Sequence, residues 1–303
     1  MSFAFFLTGF IQEAGDSFFR AFLNKKKLYK KITSDFREFR FISLLLITFL
    51  LSLLTISRNI IWKNEINLWK DCIAKASTKA RPYRILADAF QKEKRFNEAI
   101  LNYNKSFEIE PSSFLTLNNL GGAYEKLGFL DKAMDLYREA NKLLAEFPDA
   151  LNNMGNIAMK KGNIEEAITY FSLVASKNVN PDYYYNLGTA YLKAGKLDDA
   201  MVWMKKSLDL REDSASAHAN MGMIYYLKNS PELAITEFKR ALEINPDHLE
   251  AHVNLGIIYH YDVKVKDDRI ALQYLKRSLE LAQDFPHKDV VRNILIEIEK
   301  DTE

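Results

Sequence analysis

Hydrophobic and small positions repeat at a fixed interval over most of the chain. A first small residue recurs at steps of 33 or 34 positions: Ala87, Gly121, Gly155, Gly188, Gly222 and Gly256. A second small residue follows twelve positions later in five units and fifteen later in the last: Ala99, Ala133, Ala167, Ala200, Ala234 and Ala271. Large residues stand four positions beyond the second: Tyr103, Tyr137, Phe171, Met204, Phe238 and Leu275. Since residues three or four apart share a helix face, each unit is predicted to be two helices that cross at the small residues.

The turns between the paired helices carry their own signal. One equivalent position holds a residue type that accepts the left-handed conformation ending a helix: Gly128, Gly162, Gly195 and Asn229. The last unit has a three-residue insertion around Val263–Lys266, so its turn should be longer. A single helix pair cannot bury its apolar stripe, and the units must therefore stack into a solenoid.

These units resemble tetratricopeptide repeats (TPR), with the small–aromatic–small–aromatic pattern carried by NNLGGAYEKLGFLDKAMDLYREA and YNLGTAYLKAGKLDDAMVWMKKSL. Six units are predicted over 82–286. Residues 287–303 should form a capping helix and tail, with Val291, Leu295 and Ile298 on one helix face. The resemblance implies an all-α, right-handed solenoid that acts as a scaffold for proteins or extended peptides.

A separate apolar segment precedes the repeats. Residues 41–57 read FISLLLITFLLSLLTIS without a charge, close to the minimum of about 17 residues for a bilayer-spanning helix. A transmembrane helix is predicted over 41–58, in contact with the lipid bilayer, and a buried core helix is the alternative. Thr48, Ser52 and Thr55 share one helix face. Their hydroxyls could bond a partner helix in the membrane, but bonding back to their own helix is favoured.

Charge is unevenly distributed, although the formal net charge is only +2. Residues 1–60 hold nine Lys/Arg against four Asp/Glu, whereas the remaining residues hold 33 against 36, which argues against a general nucleic-acid-binding surface. Six bases lie within fifteen residues before the apolar segment and three within fifteen after it. The excess predicts a cytoplasmic N-terminal segment, 1–40, and an extracytoplasmic repeat domain.

Residues 59–81 are predicted to form a connecting half-repeat helix. The stretch RNIIWKNEINLWKDCIAKASTKARPY resembles the junction between the last membrane helix and the repeats in glycosyltransferases of the transmembrane-and-TPR type. The catalytic part of that family is a large multi-helix membrane domain, and nothing in this sequence supplies it. The resemblance implies extracytoplasmic repeats, and it leaves one alternative function: an accessory or separated C-terminal, substrate-binding portion of such an enzyme. Cys72, the single cysteine, is interpreted as a packing residue.

Catalytic and metal-binding motifs are not evident, so neither an enzyme activity nor a cofactor is expected. His248 and His252 are one helical turn apart, as two metal ligands could be, but His252 and His218 occupy the unit position of Tyr83 and Tyr184. Packing between helices is therefore the favoured role. Acidic pairs at the starts of second helices, such as Glu165 and Glu166, are explained by the helix dipole.

One polar position recurs on the first helix of the units. Asparagine stands two residues before the glycine in five units: Asn119, Asn153, Asn186, Asn220 and Asn254. The pattern resembles the asparagine ladder in the repeat domain of O-linked N-acetylglucosamine transferases, where such residues grip the backbone of an extended peptide. The alternative is that these side chains bond neighbouring helices, and both readings stay open. The basic clamp of chaperone-binding repeats is not expected, because Arg84 and Asp88 stand where Lys and Asn would be needed.

Overall fold

A computed structural model describes residues 26–282 and 284–301, with side chains described except at 26–38, 40, 42, 60, 61 and 301. Within these residues the regular elements are fifteen α-helices, which confirms the all-α expectation. The helices divide between an N-terminal unit that ends at Lys75 and a repeat unit that begins at Ala76. Residues 1–25 of the predicted cytoplasmic segment lie outside the described residues.

The N-terminal unit contains α1 (Lys26–Trp62) and α2 (Glu65–Lys75), which contact each other. Large apolar side chains of α1 are exposed on every face, as Leu44 (62%), Leu45 (52%) and Leu46 (63%) illustrate. Among the side chains that the structure describes, no helix is long and apolar enough to cross a membrane. Arg40 and Ile42, which belong to the predicted span and its flank, are not among them.

The hydroxyl stripe on α1 bonds to its own helix. Thr48 Oγ1 donates to the carbonyl oxygen of Leu44 at 2.9 Å, and the hydroxyls of Ser52 and Thr55 donate in the same way to carbonyls four residues earlier, at 2.8 Å each. The favoured interpretation of these residues is confirmed.

The repeat unit consists of six helix pairs and a final helix. The first helices are α3 (Ala80–Lys92), α5 (Phe114–Lys126), α7 (Pro148–Lys160), α9 (Pro181–Lys193), α11 (Ala215–Leu227) and α13 (Leu249–Tyr261). The second helices are α4 (Phe96–Ile109), α6 (Leu130–Leu143), α8 (Ile164–Lys177), α10 (Leu197–Leu210), α12 (Pro231–Ile244) and α14 (Asp268–Leu281). The final helix is α15 (Lys288–Asp301). We number the pairs as units 1 to 6.

In units 2 to 6 the two helices of each pair pack closely at the glycine of the first helix. A Cβ placed on Gly121 would lie 2.7 Å from the ring of Tyr137, and equivalent contacts join Gly155 to Phe171 and Gly222 to Phe238. The large residue of the second helix therefore fills the space that the missing side chain leaves on the first. This packing explains why the two positions recur together in the sequence.

The turns have the predicted backbone conformation. Gly128, Gly162, Gly195 and Asn229 have φ of 84°, 79°, 73° and 62°. Lys94, at the equivalent position of unit 1, also has a positive φ, of 60°. In unit 6 the predicted longer turn runs from residue 262 to 267, and Asp267 ends it by accepting from the backbone N–H groups of Arg269 and Ile270.

Stacking brings the first helices of successive units together. Each second helix packs against the first helix that follows it, and each first helix also contacts the first helix of the next unit. Among the described residues, successive second helices make no such approach. The first helices therefore line the inner side of the stack, which we call the inner face.

The C-terminal helix α15 covers the exposed end of unit 6, as predicted. Val291, Leu295 and Ile298 are buried, and so is Ile294, which the sequence reading did not include. They join the core formed by units 5 and 6.

Candidate functional site

The five asparagines lie at one register on successive first helices, and each is half-buried. An amide there can be reached both by the neighbouring unit and by a molecule in the groove. The placement on the inner face is the one that either reading of the asparagines requires.

Four of the five are tied to the preceding unit by one amide N–H. Each Nδ2 donates to a polar side chain one unit earlier: Asn119 to Asp88 Oδ1 at 2.9 Å, Asn153 to Asn118 Oδ1 at 3.1 Å, Asn186 to Asn152 Oδ1 at 2.9 Å and Asn220 to Thr189 Oγ1 at 3.0 Å. These asparagines therefore help to hold consecutive units together. The sequence indicated bonding to neighbours as one of two roles, but not which residues would accept.

Part of each amide is left over for another partner. An asparagine has one carbonyl oxygen and two N–H donors. The side-chain carbonyls of Asn153, Asn186 and Asn220 accept no hydrogen bond from the described part of the chain, and Asn254 makes no side-chain hydrogen bond there. Each of the first three thus keeps one acceptor and one donor, the pair needed to meet a peptide N–H and C=O.

The unit 1 end of the inner face carries a polar network that sequence reasoning missed. Tyr103 Oη donates to Asp88 Oδ1 at 2.6 Å and lies 3.2 Å from Gln91 Oε1, while Arg84 contacts the other carboxylate oxygen of Asp88 at 3.4 Å. Burial, and then the hydrogen bond to Asp88, raise the pKa of Tyr103 far above its ordinary value, so its hydroxyl remains a donor. The sequence signal for this network is Tyr103, which brings a hydroxyl to a position where units 3 and 5 have phenylalanine.

An open cleft of about 680 Å³ adjoins this network between units 1 and 2. It is lined by Asp88, Gln91, Lys92, Lys94, Phe96, Tyr103, Asn119 and Lys126. The cleft therefore combines the first ladder asparagine with three lysines and two aromatic side chains, Phe96 and Tyr103.

The histidines serve packing and capping. His218 is buried between Glu237 Oε2, at 2.7 Å from its Nδ1, and the backbone carbonyl of Glu212. His252 Nε2 lies 2.8 Å from the carbonyl oxygen of Pro246, and His248 Nδ1 accepts from the backbone N–H of Ala251. No group of three His, Cys, Asp or Glu in the described portion of the chain is arranged to hold a metal ion. The acidic pairs lie in the first turns of the second helices, as predicted.

Comparison with known proteins identifies the repeats. A family model described as tetratricopeptide repeat matches residues 152–217, a second with that description matches 80–113 and 116–143, and a model described as TPR repeat matches 222–261.

Among similar proteins, Protein O-mannosyl-transferase TMTC3 of Homo sapiens is 26% identical over an alignment of 205 residues that covers 62% of this chain and 22% of the relative. The chain thus spans less than a quarter of that protein.

Two solved structures share the fold. The APC/C hetero-tetramer Cut9-Hcn1 superposes with a TM-score of 0.67 at 20% identity, covering 78% of this chain and 46% of the other. YrrB, a TPR protein with an unusual peptide-binding site, gives 0.50 at 22% identity, covering 60% and 95%. Since the matched repeats make up more than half of the sequence and the helix pairs stack as described, the chain belongs to the tetratricopeptide repeat family.

Proposed function

We propose that the chain is a scaffold whose inner face holds an extended peptide segment of a partner protein. The observation that carries this proposal is the row of half-buried asparagines on successive first helices. Three of them, Asn153, Asn186 and Asn220, each keep one acceptor and one donor. An amide that pairs with a peptide N–H and C=O reads backbone and not side chains, so one contact can recur in every unit.

The binding energy should be distributed along the row. Each hydrogen bond contributes roughly 0.5–1.5 kcal/mol net, so the loss of one asparagine is expected to be mild and the loss of three severe. The peptide-binding description of YrrB agrees with this kind of ligand, although that protein shares only the fold.

The test replaces Asn153, Asn186 and Asn220 together by alanine and measures two quantities on the same protein. The first is capture from a library of displayed random peptides, and the second is the melting temperature. Capture should weaken at least tenfold, which corresponds to about 1.4 kcal/mol, while helical content is retained.

A matched control breaks the same inter-unit hydrogen bonds from the other side. Alanine at Asn118, Asn152 and Thr189 removes the three acceptors and leaves the ladder asparagines in place. The two triple variants should lose similar thermal stability, but the ladder variant should lose more capture. Equal capture by both variants would contradict peptide binding by the ladder asparagines and indicate that their role is purely structural.

We further propose that α1 anchors the repeats to a membrane through residues 41–58, with the N-terminus cytoplasmic and the repeats extracytoplasmic. The uncharged run, the exposed apolar side chains around the helix and the six-to-three excess of flanking bases support this. Protease added outside sealed cells or spheroplasts should digest the repeats. Protection of the repeats until the membrane is lysed would show that the orientation is the reverse of the proposed one. Release of the chain by alkaline carbonate would contradict a membrane-spanning anchor.

A second candidate function is supported by the similarity to TMTC3, a protein O-mannosyl-transferase. In this alternative the chain presents acceptor proteins to a separate membrane glycosyltransferase. Purification from membranes under mild detergent should then recover a multi-helix membrane protein in fixed proportion. Sugar transfer to captured proteins should also fall when the chain is deleted. Recovery of the chain without such a protein would favour the free-standing scaffold.

A further inference from the structure

The inner face changes chemical character along its length. The last residue of the first helix is lysine in units 1 to 4 and apolar in units 5 and 6: Lys92, Lys126, Lys160, Lys193, Leu227 and Tyr261. All six side chains are exposed, Leu227 by 54% and Tyr261 by 52%. We call the four lysines the lysine row.

A second register changes at the same boundary. The residue directly after the small residue of each first helix is half-buried in every unit: Asp88, Gly122, Asn156, Thr189, Met223 and Ile257. It is polar or glycine in units 1 to 4 and apolar in units 5 and 6. Met223 and Leu227 are one helical turn apart on α11, and Ile257 and Tyr261 are one turn apart on α13. We call these four apolar residues the apolar end.

Helix stability explains the lysines of units 1 to 4 but not the apolar residues of units 5 and 6. A lysine at a helix C-terminus is favoured by the helix dipole, and Lys160 also pairs with Glu125 at 2.6 Å. The same dipole would favour lysine at positions 227 and 261, yet these positions expose a leucine and a tyrosine. Exposed neighbouring apolar side chains in a groove are typical of a binding surface.

The lysine row is a local concentration of positive charge in a part of the chain that has a slight excess of acidic residues. Residues 61–303 hold 33 Lys/Arg against 36 Asp/Glu, but the lysine row places four bases along the inner face. Two of them, Lys92 and Lys126, line the cleft between units 1 and 2 together with Lys94 and Phe96. With three lysines against one carboxylate, that of Asp88, the lining of the cleft carries a net positive charge that suits an acidic ligand residue. The other end of the groove offers apolar side chains instead.

We infer that the groove selects an extended protein segment with acidic residues at one end and a large apolar side chain at the other. This inference rests on the proposed peptide-binding function. It adds which side chains the ligand carries and that the acidic and apolar ones lie at opposite ends. Neighbouring first helices about 8–10 Å apart place units 1 and 5 about 32–40 Å from each other, so the two features should be separated by roughly ten to twelve extended residues. The asparagines would hold the backbone between them.

The test uses three labelled synthetic peptides of one composition, about fourteen residues long, and the full chain in detergent. One peptide has four glutamates at its N-terminus and leucine and phenylalanine at its C-terminus, the second has the opposite order, and the third intersperses the same residues. One of the two segregated peptides should bind at least tenfold more tightly than the interspersed peptide. Equal binding of all three would overturn the inference.

Two double variants assign the ends. Lys92→Ser with Lys126→Ser should weaken the tighter peptide about fivefold or more in low salt, with little difference remaining in high salt. Leu227→Ser with Tyr261→Ser should weaken it about tenfold at either salt concentration. The controls are Lys142→Ser with Lys205→Ser, and Leu101→Ser with Leu233→Ser, which change exposed side chains on second helices and should leave binding unchanged.

The outcomes separate this inference from the proposed function. If the chain captures peptides through its asparagines but shows no preference for a segregated peptide, the inference fails and the proposed function stands. If neither the library nor the three peptides are captured by the folded chain, both fail. An effect of the second-helix controls equal to that of the inner-face variants would also overturn the inference, because it would place the charge and apolar contacts elsewhere.

Discussion

Two adjacent glycines on α5 occupy very different surroundings. A Cβ on Gly121 would lie 2.7 Å from Tyr137 Cε1, whereas a Cβ on Gly122 would find its nearest neighbour, Tyr137 Oη, at 3.7 Å. Gly121 is therefore required by the ring that packs onto it. Alanine would fit at Gly122 without a close contact, and glycine at this position is simply the poorer helix former of the two.

Alanine substitutions at these positions should have opposite effects. Gly121→Ala forces the buried ring of Tyr137 to move and should destabilise the repeats by about 1–3 kcal/mol. Gly122→Ala should be neutral or stabilise them by up to about 1 kcal/mol. Thermal unfolding followed by circular dichroism compares the two directly. A similar loss for both variants would mean that the glycine does not mark a helix crossing.

A buried histidine joins three helices at the C-terminal end. His260 Nδ1 lies 2.6 Å from Asp268 Oδ1 on α14, and its Nε2 lies 3.3 Å from Glu297 Oε2 on α15. Burial of Asp268 by itself would raise its pKa, but hydrogen bonds from His260 and Lys266 outweigh this and lower the pKa of Asp268 below its ordinary value. The ionised carboxylate is thus favoured in the folded chain.

The stabilisation by Asp268 should depend on pH. Because its pKa is lower in the folded than in the unfolded chain, the contribution is complete above the unfolded value of about 4 and is lost as the pH falls through the folded value. Asp268→Asn should cost roughly 1–3 kcal/mol at pH 7, and its difference in melting temperature from the native chain should shrink below pH 4. Asp289→Asn, an exposed change at the start of α15, is the control. A difference that stays constant with pH would contradict the role of the charge.

At the scale of the helix, the spacing of apolar residues predicts a helix well where one of its faces is buried. The capping helix was predicted from Val291, Leu295 and Ile298, and these residues are buried in α15. Ile294 is also fully buried, but it is not one of the three positions that define the predicted apolar face. The long α1 begins at Lys26, so the apolar run alone does not define its bounds.

Two isoleucines on α15 test how this helix contributes. Ile294 is buried to 0% exposure and Ile296 is 50% exposed. Ile294→Ala should cost about 2–4 kcal/mol through lost burial and the remaining cavity, whereas Ile296→Ala should cost little. Hydrogen exchange should accelerate first in α15 and unit 6 and leave units 1 to 3 unchanged, because repeats couple mainly to their neighbours. A uniform acceleration through all six units would contradict this.

At the scale of the whole molecule, the period of the sequence was sufficient to predict the number of helix pairs and their crossing points. It identified the recurrence of Asn153, Asn186 and Asn220, but it did not reveal that Asn118, Asn152 and Thr189 accept from them. Those bonds depend on how two units are rotated against each other, which a single-unit pattern does not contain. The division of the inner face between units 4 and 5 was visible only after the structure showed which positions face inward.

Photochemical cross-linking tests most directly whether the inner face is the binding surface. A benzophenone side chain replaces either Asn156, half-buried on the first helix of unit 3, or Thr169, exposed on the second helix of the same unit. Each variant is irradiated with a labelled peptide selected by the native chain. A peptide held on the inner face should be cross-linked from position 156 and not from position 169. Cross-linking from position 169 alone, or equally from both, would contradict binding on the inner face.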